Sequence, residues 1–230
     1  FKLEALTEQK ILTRYQSGKK EGQIGDLFSG RITIPITDFK GDVVAFGGRS
    51  IRKNEKIKYI NSPSNEKYVK GDNLFGFSHA EEYIRKKGFV ILVEGYFDFL
   101  QVYQAGFKNV VAVLGVALTP SQALLLKSVT NNAVIVFDGD EAGKEASFRI
   151  AKILKTVGVN VTIANTEKEN DPDDYIREKG INAFVQLIKE SKQFVDSLVD
   201  YYAVVYNNLQ TPVDRFMFVN KVLEQVPKND

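Results

Sequence analysis

The sequence predicts an α/β protein, α+β taken whole, in three parts: an N-terminal basic subdomain of mixed α/β structure over residues 1–88, a central parallel-sheet α/β subdomain over 89–180 and a C-terminal helical subdomain over 181–230. Three observations carry this. Before residue 62 apolar residues alternate with polar ones in short runs, the period of half-buried strands. From residue 89 to 163 four short apolar runs alternate with helical patterns, which calls for a parallel sheet with right-handed crossovers. From Asp174 onward the pattern is helical throughout.

The elements follow in order. Residues 1–30 are polar and glycine-containing and read as loop with a short leading helix. Ile32, Ile34 and Ile36 alternate with Arg31, Thr33 and Pro35, a strand whose proline marks an edge or bulge. A turn at residues 38–42 returns the chain through Val43-Val44-Ala45-Phe46, a strand expected to end at Gly47-Gly48. Lys58-Tyr59-Ile60-Asn61 is a short extended piece. Ala80 to Lys87 reads as a helix closed by Gly88. Residues 89–93, 110–114, 133–137 and 159–163 are the four sheet strands, the first a continuous apolar run as expected of burial on both faces. Helices are expected at about 96–105, at 120–128 behind the cap Thr119, and at 141–156. Four more follow at 174–179, 182–191, 195–209 and 212–226.

Composition excludes several kinds of chemistry. With no cysteine there is no disulfide frame, thiol nucleophile or zinc ribbon, and the lone His79 argues against a Ser-His-Asp triad or a multi-histidine metal site. No apolar run approaches the roughly 18 residues a membrane span needs. The chain begins with Phe1 and carries no signal peptide, so it reads as a cytoplasmic polypeptide cut from something longer. Charge is uneven: residues 1–88 carry 17 Lys and Arg against 11 Asp and Glu, whereas residues 89–174 carry 7 against 11. A basic front and an acidic middle suit a protein that holds a polyanion on one part and metal on another.

The acids of the middle part sit where strands end. Glu94 follows the first sheet strand, Asp138 and Asp140 follow the third, and Asp171 and Asp173 follow the fourth. In a parallel sheet all these ends share one edge, the edge at which open α/β sheets bind ligands. Carboxylates gathered there repel one another, and a divalent cation resolves the repulsion; an oxygen-only donor set favours Mg²⁺ or Mn²⁺ over zinc. Asp98, one helical turn after Glu94, is placed to face the same cluster or to cap its helix. Taken singly, Asp138-Gly139-Asp140 is as readily a turn with an N-cap, and Asp171-Pro172-Asp173 a helix start. Gly139 to Lys144 lacks the spacing and the hydroxyl residue of a phosphate loop, yet Lys144, one turn beyond Asp140, can meet a phosphate or neutralise the acids. In the basic part Arg31, Arg49, Lys58 and Lys70 punctuate strands and glycine turns, and Gly47-Gly48-Arg49 and Lys70-Gly71 set backbone amides beside a cation, a phosphate-binding arrangement. Tyr59 and Asn61 offer stacking and hydrogen bonding to a base or sugar.

Together these stretches resemble a known family. Glu94-Gly95-Tyr96-Phe97-Asp98, Asp138-Gly139-Asp140 and Asp171-Pro172-Asp173 look like the acidic motifs of a TOPRIM domain. Ser29-Gly30-Arg31-Ile32, Val44 to Arg49, Lys58 to Pro63 and Lys70 to Gly76 resemble the part that precedes it in bacterial DnaG-type primases. The likeness is close over residues 28 to 180 and loose in the helical tail. One departure is Leu114-Gly115-Val116, where the family has Leu-Gly-Thr. The resemblance implies a catalytic RNA polymerase domain alone, without the family's zinc-binding and helicase-binding domains. It would make short RNA primers from NTPs on single-stranded DNA, with two or more Mg²⁺ or Mn²⁺ ions and no zinc. Glu94 would be general base or metal ligand. Asp138, Asp140, Asp171 and Asp173 would be metal ligands with Asp98 behind them, and Arg31, Arg49, Lys58, Asn61, Lys70, Gly71 and Lys144 would hold NTP or nucleic acid. A monomer that meets the replicative helicase through the missing part, away from any membrane, is expected. The alternatives are another TOPRIM enzyme, such as a topoisomerase or an OLD-type nuclease, or a non-catalytic nucleotide- or nucleic-acid-binding module.

Overall fold

The computed structural model describes residues 12–14, 22–53, 55–115, 117–166, 171–224 and 226. The chain forms two compact units, Phe1–Asn73 and Leu74–Asp230.

The first unit is built on antiparallel strands. β1 (Leu12–Arg14) pairs with β2 (Ile24–Asp26), a region whose sequence reads as loop because three-residue strands are too short to show a period. The leading helix expected there falls outside the described residues. β3 (Arg31–Thr37) and β4 (Val43–Ser50) form a hairpin, and β5 (Tyr59–Asn61) pairs with the other side of β4. Ile34 and Ile36 point into the core while Pro35 is exposed on the edge strand β3, as the alternation requires. The Asp38 carboxylate accepts hydrogen bonds from the Lys40 and Asp42 amides and so sets the hairpin turn. β4 does not end at Gly47-Gly48. Both glycines lie inside the strand, paired with β3 and β5, and Gly48 leaves room for the Phe28 ring: a Cβ there would stand 2.6 Å from Phe28 Cδ1. The glycines mark a close approach rather than a turn.

In the second unit β6 (Val90–Val93), β7 (Val110–Ala112), β8 (Asn132–Ile135) and β9 (Asn160–Ile163) run parallel in the order β9-β8-β6-β7. A fifth strand, β10 (Lys192–Gln193), adds antiparallel to β9, so the sheet is mixed; two exposed polar residues leave no pattern by which to find it. Around the sheet stand α1 (Phe77–Lys87), α2 (Tyr96–Gln104), α3 (Pro120–Lys127), α4 (Glu141–Thr156), α5 (Pro172–Lys179), α6 (Ile181–Lys189), α7 (Phe194–Asn208) and α8 (Pro212–Leu223). All four residues of β6 are fully buried. Val90 and Leu92 share one core with Ala80 and Ile84 of α1, Leu126 of α3, Ile150 and Leu154 of α4, and Phe194 and Leu198 of α7. By contact, α1 therefore belongs with the sheet, and the C-terminal helix α7 is part of the same core. The divisions at residues 88 and 180 are divisions of sequence pattern.

Gly76, the residue before α1, combines a left-handed backbone (φ 81°) with a packed ring: a Cβ there would lie 2.1 Å from Phe99 Cε2. Phe99 is wedged between Phe75 and Tyr103 and cannot move aside. Gly88 has a similar φ of 76°, but a Cβ there would meet nothing within 4 Å. Gly76→Ala should cost about 3 kcal/mol or more and lower Tm by roughly 6–12 °C, and Gly88→Ala only about 1 kcal/mol. Thermal unfolding of the two variants checks this; equal losses would show that the ring contact costs nothing.

Candidate metal centre at the carboxyl edge of the sheet

The β–α connections at the carboxyl edge are short, and this sets the acids close together. β6 is followed by Glu94 and Gly95, and α2 begins at once with Tyr96. Asp98 in its first turn turns back and accepts the Gly95 amide at 2.9 Å. It is only 8% exposed. Beyond β8 the chain passes Asp138 to Asp140, whose carboxylate caps α4 by accepting the Gly143 amide at 2.7 Å. Asp171 caps α5 in the same way, accepting from the Asp174 amide at 2.6 Å.

The electrostatics are those of an uncompensated cluster. Burial first, then the charges of Asp138, Asp171 and Glu94, push Asp98 up to about 7, although the Gly95 hydrogen bond pulls the other way. Asp138 is pushed up to about 6 by burial and by Asp171, Asp140 and Asp174. Glu94 is raised by burial and by Asp138 and Asp140. Asp171 is raised by burial, against the Asp174 amide that holds it down. Four carboxyl groups from three β–α connections and a helix thus act on one another in a partly dry site, as the sheet-edge reasoning requires. Asp171, Asp173 and Asp174 bring one oxygen each within 4.8 Å of the others. Asp173 is engaged by Arg177, one turn on, at 2.5 Å. Asp140 is exposed and serves as a cap.

These residues fit a divalent cation. All donors are oxygens, the groups resist ionising together, and an exposed arginine, Arg177, stands beside Asp173.

Two residues of this edge escape the sequence reading. Gly143 lets the first turn of α4 settle on the backbone of Asp138, where a Cβ would stand 2.3 Å from the Asp138 carbonyl oxygen. Its signal is a glycine inside a helix, which costs stability unless packing demands it. Arg177 is the cation that acts on the cluster, at helical spacing from Asp173. Lys144 is half-buried on α4, one turn beyond Asp140.

In the first unit the expected phosphate-binding residues separate. Arg49 lies over the Tyr59 ring, 5.0 Å from its centre, and donates to the Tyr59 hydroxyl. Their cross-strand pairing, and that of Asn61 with Gly47, places Arg49, Tyr59 and Asn61 on one sheet face. Arg31 and Lys58 fall on the other. The Arg31 guanidinium donates to the carbonyls of Gly48 and Lys58 at 3.4 and 3.1 Å and ties β3 across β4. Lys70 and Gly71 occupy a single 3₁₀ turn, with the Lys70 side chain exposed.

Comparison with known proteins joins the two units. Residues 1–81 match the N-terminal domain of the DNA primase catalytic core, and residues 91–176 match the Toprim-like family. The chain is 42% identical over 202 residues to the DNA primase of Aquifex aeolicus, covering 86% of this chain and 41% of that protein. It is 36% identical over 211 residues to the DNA primase of Halalkalibacterium halodurans, covering 91% and 35%. The chain thus spans about two fifths or less of the length of these relatives. The crystal structure of the zinc-binding and RNA polymerase domains of the Aquifex aeolicus primase superposes with a TM-score of 0.77 at 38% identity, over 98% of this chain and 58% of that one. A DnaG primase catalytic domain bound to single-stranded DNA gives 0.81 at 27% identity, over 97% and 70%. With both domain types present in that order, the chain belongs to the DnaG-type primase family.

Proposed function

We propose that this chain is a primase catalytic core that builds short RNA primers from NTPs on a single-stranded DNA template. The observation that carries the reading is the convergence of Glu94, Asp98, Asp138 and Asp171 in a Toprim-type sheet, each with its proton held more tightly than usual. Mg²⁺, or Mn²⁺ in its place, would be held as two or more ions by Glu94, Asp138, Asp140, Asp171 and Asp173, with Asp98 behind them. Bound there, such ions lower the pKa of an attacking hydroxyl and stabilise charge on phosphate oxygens. The reaction itself is attack of a ribonucleotide 3′-oxygen on the α-phosphate of an incoming NTP, with pyrophosphate leaving. Glu94, whose carboxyl is raised by burial and by Asp138 and Asp140, would take the hydroxyl proton or hold metal. Arg49, Lys58, Asn61, Lys70 and Gly71 would hold NTP phosphates or the template strand, with Lys144 near the acids. Arg31, whose guanidinium also donates to the Gly48 and Lys58 carbonyls, would join them. The single-stranded DNA in the relative's structure supports the template assignment.

No helix among the described residues is long and apolar enough to cross a membrane. Work as a monomer in the cytoplasm at the replication fork, with the helicase met through other parts of the longer protein, completes the reading. The wide spacing of the acidic motifs, with Asp171 following Asp140 by a full β–α unit, favours it over a topoisomerase or nuclease.

Ribonucleotide incorporation on single-stranded DNA tests the reading directly. Asp138→Asn and Asp140→Asn should each abolish incorporation and weaken Mn²⁺ binding while leaving the fold intact; full activity in either removes that residue from the site.

The raised carboxyls also make the metal-free protein sensitive to pH. A carboxyl whose pKa is higher folded than unfolded contributes stability below the unfolded value and loses it as pH rises through the folded one. For Asp98 that window runs from about 4 to about 7. Without metal, Asp98→Asn, which keeps the acceptor for the Gly95 amide, should match the parent near pH 4 and exceed it by roughly 2 kcal/mol or more at pH 8. Saturating Mn²⁺ should close that gap. A gap independent of pH in denaturation curves would refute it.

Single-stranded DNA binding should weaken steeply with salt. Arg49→Ala or Lys70→Ala should lower the log–log slope by roughly 0.7 and the loop control Lys53→Ala should not. If Lys53→Ala lowers the slope as much, the chosen cations are the wrong ones.

A further inference from the structure

Leu114 is the one non-glycine residue with positive φ among the described residues, at 55°. It lies just past β7, in the Leu-Gly-Val stretch that departs from the family's pattern. The left-handed region is costly for a side chain with a Cβ, and such residues persist where their surroundings over-determine them, most often at functional sites. Here the surroundings are known. The last ladder pair joins Val93 to Ala112. Beyond it the Val113 amide donates to the Val93 carbonyl at 3.2 Å, and the Leu114 amide donates to the Glu94 carbonyl at 3.0 Å. Successive amides of a regular strand face opposite ways, so two in a row can reach the same neighbour only where the chain leaves the strand geometry. Leu114 carries the left-handed backbone of that departure, and the residue it grips is Glu94.

We propose that Leu114 is a positioning residue for Glu94: its left-handed backbone keeps its amide on the Glu94 carbonyl and so fixes where the Glu94 carboxylate stands relative to Asp138 and Asp140. Glu94 needs such a hold. It sits in a two-residue connection between β6 and α2, and the neighbouring acids push its side chain away. Gly95 accounts for one side of the connection, through its amide to Asp98, and Leu114 for the other. The half-buried Leu114 side chain is not required by this role; the backbone conformation is.

The proposal rests on the metal-site reading above, and its test separates the two. Leu114→Asn places the non-glycine residue most tolerant of the left-handed region there, and Leu114→Val places a β-branched residue that disfavours it strongly. Mn²⁺ binding is titrated by electron paramagnetic resonance, with metal-free Tm and primer extension alongside. Leu114→Asn should bind Mn²⁺ as the parent does. Leu114→Val should fold, with a metal-free Tm within a few degrees, yet need about five- to tenfold more Mn²⁺ for half-saturation and recover extension at high Mn²⁺. Parent-like Mn²⁺ binding in Leu114→Val overturns the proposal, as does an equal loss in Leu114→Asn. A Leu114→Val chain that does not fold overturns it too, since Leu114 is then a structural requirement. Glu94→Gln is the control. If it leaves Mn²⁺ binding unchanged, the metal role of Glu94 fails; if it weakens binding and Leu114→Val does not, only the positioning role fails.

Discussion

Partial burial of Glu94, Asp98, Asp138 and Asp171, with repulsion from neighbouring acids added to it, is the constraint around which the second unit is organised. Gathering four carboxyl groups in a partly dry site is unfavourable in the absence of a cation, as the upward shifts of all four show. The scaffold must supply the compensating stability. It does so with a sheet whose central strand is buried on both faces and with helices that meet it through large apolar side chains, among them Phe194, Ile150 and Leu126. The acids themselves are fastened by backbone amides: Gly95 to Asp98, Gly143 to Asp140 and Asp174 to Asp171. The bonds to Asp98 and Asp171 favour the charged form and oppose the upward shift locally.

The helix caps and the acidic cluster thus share residues. Asp140 and Asp171 each satisfy an orphan amide at a helix N-terminus, where a negative charge is also favoured by the helix dipole. Asp138 caps no helix, and its carboxyl is pushed up to about 6. The division of labour explains why a turn with an N-cap and a metal ligand are not competing descriptions of Asp138-Gly139-Asp140.

Much of this was legible in the sequence because strand ends and acid positions are both local signals. An apolar run followed at once by Glu94, and another followed by Asp138 and Asp140, locate the edge without any knowledge of packing. The inclusion of Asp98 rested on one helical turn of spacing, and its burial agrees. What escaped depends on contacts distant in sequence. Gly47 and Gly48 read as the end of a strand, yet Phe28 packs over Gly48 from 20 residues earlier, and nothing at the glycines records it. β10 escaped because its partner, β9, supplies the hydrogen bonds that define it. Gly143 escaped because its neighbour is the Asp138 backbone rather than a ligand.

The first unit shows the same limit in its charges. Arg31, Arg49 and Lys58 look equivalent in a linear reading, since each is a cation beside a strand or glycine. Register separates them. Arg49 pairs across the strands with Tyr59 and lies over its ring on one sheet face. Arg31 faces the opposite side, where two carbonyl groups engage its guanidinium. An arginine that already donates to backbone carbonyls holds strands together, and drawing it toward a phosphate would leave those acceptors unpaired. Arg49 instead spends its contact on an aromatic ring rather than on a strand carbonyl. Equal formal charge thus meets different surroundings by the parity of a strand, because moving one residue along a strand moves its side chain to the other face.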